Sequence, residues 1–226
     1  MKVMVIAAHP DDEVLGCGGA IARLASEGHP CNALIVGEGI TSRHLHREDA
    51  DLALLAAHQS RAQEAGRLLG VSEVKILGFP DQRLDQMPFL ELVHSLEREI
   101  DRIRPEWIFT QHGGDLNLDH ALVFRATMTA SRPMAGGNVR RLLAFETASA
   151  TEWAFGQFAP VFQPDTFFDI TSTLERKLLA IQVYESETRA YPHPRSPEAL
   201  TAQARRWGSV VGVAAAEAFR TVWEVR

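Results

Sequence analysis

The sequence predicts an α/β fold of Rossmann-like type, a mainly parallel twisted sheet with helices on both faces. Three observations carry this. Short apolar runs rich in β-branched residues alternate with longer segments of helical spacing. Polar clusters follow the first and the fourth of those runs, where ligands of parallel sheets gather. With 226 residues, 46% of them hydrophobic, the chain can bury a sizeable core.

The elements follow in order. "KVMVIAA" (residues 2–8) is a continuous apolar run of the kind buried on both faces, and gives the first, central strand. "EVLGCGGAIARLASEG" (13–28) has helical spacing and Gly28 as its stop. "NALIVGEG" (32–39) is a second strand, and the Ala- and Leu-rich stretch from Glu48 to Gly70 is a helix. "VKILGF" (74–79) gives a third strand, "PFLELVHSLEREIDRIR" (88–104) a helix with Pro88 near its start, and "EWIFTQ" (106–111) a fourth strand. Strands alternating with helices in this way imply parallel pairing through crossover connections.

Beyond Leu143 the pattern loosens. "LLAFETAS" (142–149) and "TFFDI" (166–170) read as strands, residues 172–187 and 198–222 as helices, and the Pro-rich "YPHPRSP" (191–197) separates those helices. No internal repeat or low-complexity linker marks a boundary. The expectation is one domain over 1–226, with room for a C-terminal lobe over the site after about residue 150.

Composition narrows the functional classes. The net charge of −6, with no cluster of Lys and Arg, excludes a general nucleic-acid surface. Cys17 and Cys31 lie far from any CxxC spacing and suit a reducing compartment as small buried residues. The apolar N-terminus turns acidic at once and lacks a small-residue cleavage site, and no run reaches the ~18 apolar residues of a membrane span. The expected compartment is therefore the cytoplasm. Oligomeric state is not readable.

The chemistry concentrates in "AAHPDDEVLGCGG" (7–19) and "QHGGDLNLDH" (111–120). His9 and Asp12 flank a strand-to-helix turn, and Pro10 biases His9 towards an extended conformation, so both can face one space. His120, at the start of the helix after the fourth strand, is the best-placed third donor. Two nitrogens and one carboxylate oxygen leave a position open for water, as in a hydrolytic zinc site. Asp11 is then available as general base. The bland alternative is that Asp11 or Asp12 caps the following helix while Glu13 favours its positive end. The same three donors also suit an iron(II) oxygenase.

"AHPDDEVLGCGG" together with "DLNLDHALV" resembles the LmbE-like, or PIG-L, family of metal-dependent N-acetylglucosaminyl deacetylases, over at least residues 1–150. The resemblance implies His9, Asp12 and His120 as zinc ligands and Asp11 as general base. It implies hydrolysis of an N-acetyl group from an amino sugar, free or on a glycoconjugate, giving acetate and a free amine. One departure stands out: well-studied members carry "HPDH" where this chain has "NLDH". Asn117 can donate to an oxyanion but cannot deliver a proton to the leaving amine. That leaves a catalytically inactive sugar-binding module as a further alternative.

His112 and His193 are the histidines that could substitute, with His193 the better for substrate contact. Arg61 resembles an arginine that contacts substrate in the family; its plain alternative is an i,i+3 pair with Glu64. Arg83 could reach an anionic leaving group, and Asp81 could orient a sugar hydroxyl or cap a turn. Asp115 and Asp119 suit the orientation of ligands. "GCGGA" is no dinucleotide fingerprint, since acids intervene after the strand; its glycines suit close helix–sheet packing. His44 and His46 suit a solvated or substrate-rim loop, and His29, His58 and His94 structural positions. Trp153 suits sugar stacking or the core.

Overall fold

A computed structural model describes residues 1–43, 46 and 51–226 of the chain. Its strands are β1 (Val3–Ala7), β2 (Cys31–Gly37), β3 (Glu73–Phe79), β4 (Trp107–Gln111), β5 (Arg141–Phe145), β6 (Thr166–Asp169) and β7 (Ala216–Glu224). The helices are α1 (Asp12–Ser26), α2 (Leu52–Leu69), α3 (Phe89–Ile103), α4 (Leu118–Ala130), α5 (Leu174–Val183) and α6 (Pro197–Val211). One seven-stranded sheet runs in the order β3-β2-β1-β4-β5-β7-β6. The first five of these pair in parallel, and β7 lies antiparallel to both its neighbours.

Alternation along β1 divides the core. Val3, Val5 and Ala7 pack with α1, α2 and α5, whereas Met4, Ile6 and Ala8 pack with α3 and α4. Helices therefore cover both faces, and β1 is buried throughout. Gly16 and Gly19 permit the close approach of α1: a Cβ on Gly16 would lie 2.0 Å from the Phe145 ring, and one on Gly19 would lie 2.8 Å from Ile170.

Two boundaries differ from the sequence reading. The α2 helix begins after Asp51, whose carboxylate accepts from the Ala53 amide, and the predicted start at Glu48 lies outside the described residues. The segment 198–222 is not one helix. α6 ends at Val211, Gly212 takes φ +77° as its cap, and the chain returns as β7 between β5 and β6. Its alanines favour helix locally, but pairing on both edges of the strand overrides that preference. Strands from beyond residue 150 thus extend the same sheet.

The strand order reverses at β1, with β2 on one side and β4 on the other. Beyond the carboxyl ends of β1 and β4 lies the crevice that such a reversal opens.

Candidate metal centre

Both polar clusters open into that crevice. His9 follows β1 by two residues, and Asp12 begins α1. His120 sits in the first turn of α4, whose start is fixed by Asn117: its Oδ1 accepts from the Asp119 amide at 2.9 Å. Asp12 Oδ2 lies 3.4 Å from His9 Nδ1 and 3.1 Å from His120 Nε2. Ligand-capable atoms of the three residues fall within 4.8 Å of one another, and all three side chains are buried.

The far side of each imidazole meets carboxylates. His9 Nε2–H donates to Asp119 Oδ2 at 3.0 Å, with Asp81 Oδ1 at 3.4 Å, and His120 Nδ1 faces Asp115 Oδ2 at 3.2 Å. The Asp119 bond orients the His9 ring, Asp115 lies beside His120 Nδ1 without hydrogen-bond geometry, and His9 Nδ1 and His120 Nε2 both face Asp12 Oδ2. Asp12 Oδ1 is buried with no hydrogen-bond partner among the described residues. A buried, unpaired carboxylate oxygen beside two converging nitrogens fits a small cation.

The acids do not merely cap α1. Asp11 makes no side-chain bond to the first turn, and Asp12 Oδ2 accepts instead from the His9 amide at 3.0 Å. Asp11 also takes φ +114°, an unfavourable backbone for a residue with a side chain, and its amide is held by Glu13 Oε2 at 3.0 Å.

Electrostatics make the nest strongly cation-seeking. Burial alone would depress both imidazoles, yet Asp119 and Asp12 raise His9 well above its ordinary value, and Asp12 and Asp115 push His120 up to about 9. Burial opposes the charge on Asp12, but His120 and His9 hold its carboxyl far below the usual range. A divalent ion would supply the positive charge and leave both rings neutral, the form that binds metal.

The protein-family model described as GlcNAc-PI de-N-acetylase, PIG-L, matches residues 4–131. The chain belongs to the PIG-L family. It is 25% identical over 193 residues, 83% of this chain and 84% of the relative, to a probable N-acetyl-α-D-glucosaminyl L-malate deacetylase of Bacillus cereus. It is 29% identical over 190 residues, 80% of this chain and 72% of the relative, to a 4-oxalmesaconate hydratase of Pseudomonas putida. A solved structure of a conserved protein from Thermus thermophilus superposes with a TM-score of 0.78 at 26% identity, covering 99% of this chain and 96% of that one. This PIG-L chain is an enzyme of a deacetylase family, and His9, Asp12 and His120 form its candidate metal centre.

Around the centre, this PIG-L enzyme has a cleft of about 170 Å3 lined by His9, Asp11, Asp81, Gln82, Asn117 and Arg195, among others. A larger hollow of about 310 Å3, at the opposite end of the sheet between the ends of α3 and α4, holds none of these residues.

Asp11, Asp12, His9, His120 and Asn117 are brought together as the sequence expects. Arg61 is not in the cleft lining: it pairs with Glu185 at 3.3 Å, while Glu64 pairs with Arg67. His193 is also outside, with its ring edge-on to Trp153 at 5.5 Å and its Nδ1 accepting from the Arg195 amide at 3.1 Å. His112 is buried away from the centre, where Nε2–H donates to the Pro160 carbonyl at 2.7 Å. Asp81 accepts from Ser42 Oγ at 2.6 Å while facing His9. His46 is exposed, and His44 lies outside the described residues.

Sequence reasoning does not reach Arg195, Glu187 or Gln82, and it assigns His58 to a structural position although that residue also lines the cleft. Arg195 is the most consequential. Its Nη1 donates to Asp11 Oδ2 at 2.7 Å, and its Nε donates to Ser149 Oγ at 2.8 Å. Burial raises the Asp11 carboxyl well above its ordinary value, Arg195 pulls it back, and Asp12 and Glu187 add to the rise. The available signal is an arginine in a proline-fixed loop, two residues beyond His193.

Proposed function

We propose that this PIG-L enzyme is a zinc-dependent hydrolase that removes an N-acetyl group from an amino-sugar-containing substrate, free or on a glycoconjugate, releasing acetate and a free amine. The observation that carries this is the convergence of His9, Asp12 and His120 with a separate carboxylate, Asp11, presented in the same cleft. The family description and the deacetylase relative support the choice of bond. His9 Nδ1, His120 Nε2 and an Asp12 oxygen are the assigned ligands, and iron(II) would suit the same donors. When bound, such an ion polarises a carbonyl and lowers the pKa of water from ~15.7 to about 7.

The chain's own residues do the rest. Asp11 accepts the proton of the attacking water, with its carboxylate aimed by Arg195. Asn117 has its Oδ1 engaged by the Asp119 amide, which leaves the NH2 group to donate to the acetamide oxygen as negative charge builds. Because Asn117 cannot deliver a proton, Asp11 returns the one it took to the departing nitrogen. Asp81 and Gln82 offer hydrogen bonds to sugar hydroxyls. Arg61 and His193 act at one remove, Arg61 by tethering Glu185 and His193 by packing beside Trp153 behind Arg195. We place the enzyme in the cytoplasm, where the buried free thiols of Cys17 and Cys31 stay reduced. No helix among the described residues is long and apolar enough to cross a membrane.

The test is acetate release under anaerobic conditions by zinc-loaded protein, offered neutral N-acetylated sugars, sugar nucleotides and glycoside conjugates. Acetate and free amine in equal amounts are expected, and chelation should abolish both. A requirement for oxygen would turn the reading to an oxygenase. Hydration of an unsaturated carboxylate without any acetate would turn it to the chemistry named for the Pseudomonas relative.

A further inference from the structure

The α1 helix is broken five residues beyond Asp12. Cys17 leaves helical geometry at φ −143°, ψ 16°, so the segment bearing the site acids ends there and a second segment starts. A break of this kind frees carbonyls on one side and amides on the other, and in a buried helix these groups need partners. The Glu13 carbonyl accepts from Cys17 Sγ at 3.3 Å, and three others, the Leu15 carbonyl and the Gly19 and Ala20 amides, are met by one ion pair from the C-terminal third of the chain. Lys177 Nζ, on α5, donates to the Leu15 carbonyl at 2.7 Å. Glu217, on β7, accepts from the Gly19 amide at 2.9 Å with Oε1 and from the Ala20 amide at 2.7 Å with Oε2. The two side chains meet at 2.7 Å, and both are about 95% buried.

The charges suit their places. An ammonium sits at the carbonyl end of the first segment and a carboxylate at the amide end of the second, as each helix dipole favours. A buried ion pair is nevertheless a poor source of net stability, since desolvation offsets much of the attraction. Its placement has a clearer geometric consequence. The second segment packs through Gly19 on Ile170, just beyond β6, and the first turn is held by Gly16 on Phe145 of β5, by Lys177 on Leu15, and by Tyr184, whose hydroxyl donates to Glu13 Oε1 at 2.6 Å.

We propose that Lys177 and Glu217 are positioning residues of the metal centre: they tie the two segments of α1 across the break and so fix the angle at which the turn carrying Asp11 and Asp12 is presented to His9 and His120. The inference rests on the ligand set assigned above. It makes the region beyond residue 131, outside the matched family model, a working part of the site.

The test compares Glu217→Gln and Lys177→Met with a control, Leu96→Ala, which opens the core on the opposite face of the sheet. Zinc affinity is measured by competition with a chelating dye on folded protein at 20 °C, together with kcat and KM for acetate release. Groups bonded directly to metal ligands typically change affinity or activity by about 10–100-fold, and Lys177 and Glu217, which act through the α1 backbone, are expected at the lower end of that range. A loss in that range is expected in zinc affinity and in kcat for both variants, with KM nearly constant. Lys177→Arg, which keeps a donor for Leu15, should recover most of it. The control should lose thermal stability and keep both functional values. Should the single variants fail to fold, Lys177→Met/Glu217→Leu, which removes both charges together, carries the same readout. Zinc affinity and kcat equal to wild type in folded variants would overturn the proposal. If wild-type protein binds zinc but releases no acetate from any substrate, the deacetylase reading fails, while the zinc comparison still decides the role of the clamp.

Discussion

Arg195 Nη1 donates to Asp11 Oδ2 at 2.7 Å, joining two residues 184 positions apart in the cleft beside the candidate metal centre. The contact orients one oxygen of a carboxylate whose pKa burial raises, and the guanidinium opposes that rise. Replacing Arg195 by Gln should leave zinc content unchanged and lower kcat at least tenfold. Breaking a fully buried pair costs ~3–5 kcal/mol. Arg195 keeps some solvent contact, so a loss of about 2 kcal/mol in urea unfolding is expected after screening. Wild-type kcat in the variant would remove Arg195 from the chemistry.

Asp11→Asn separates the proposed base from the proposed ligands. The carboxamide is nearly isosteric but accepts no proton, so turnover should fall by ~10²–10⁴. Metal analysis should still find one zinc per chain, since His9, Asp12 and His120 are untouched. Unchanged turnover would assign the proton transfer elsewhere.

Asn117 caps α4 and is proposed to donate to the acetamide oxygen, and substitution can divide the two. Asn117→Asp keeps the oxygen that caps α4 and loses the NH2 donor; Asn117→Ala loses both. The aspartate variant should unfold within about 0.5 kcal/mol of wild type, and the alanine variant about 1 kcal/mol lower. Both should lose ~10²-fold in kcat, as removal of an oxyanion donor does elsewhere. Loss of activity only in the alanine variant would reduce Asn117 to a helix cap.

How much of this was legible beforehand depends on the range of the interactions. The first four strands, the helices between them and the grouping of His9, Asp12 and His120 follow from local pattern plus the rule that parallel sheets gather ligands beyond their strand ends. β7 was not legible, because the alanine-rich residues 214–218 favour helix locally and enter a strand only by pairing with β5 and β6. Arg195 beside Asp11, and Glu217 beneath Gly19 and Ala20, are contacts across 184 and 198 residues. They arise from how the C-terminal elements return to the sheet, and no spacing in either segment announces them. Arg61 shows the converse: the contact with substrate expected of it comes from resemblance alone, and its side chain pairs with Glu185 outside the cleft lining.

His112 gives the fold a dependence on pH that is separate from that of the candidate metal centre. The ring is buried, its Nε2–H donates to Pro160, and its edge meets Phe162 at 5.2 Å. Burial lowers its pKa below the ordinary ~6.5, outweighing the pull of the Pro160 carbonyl and of Asp115. The folded protein therefore keeps the ring neutral where the unfolded chain already binds a proton. Stability from this group is intact above pH ~6.5 and is lost as pH falls from there towards the lowered folded value, at no more than about 1.4 kcal/mol per pH unit. His112→Gln keeps an N–H donor and cannot titrate. Urea unfolding of both proteins from pH 7.5 to pH 5 should show the stability difference moving steadily in favour of the variant as acid is added. Because His9 and His120 titrate equally in both proteins, they cancel from the comparison, and a difference that stays flat would show that His112 is not held neutral by the fold.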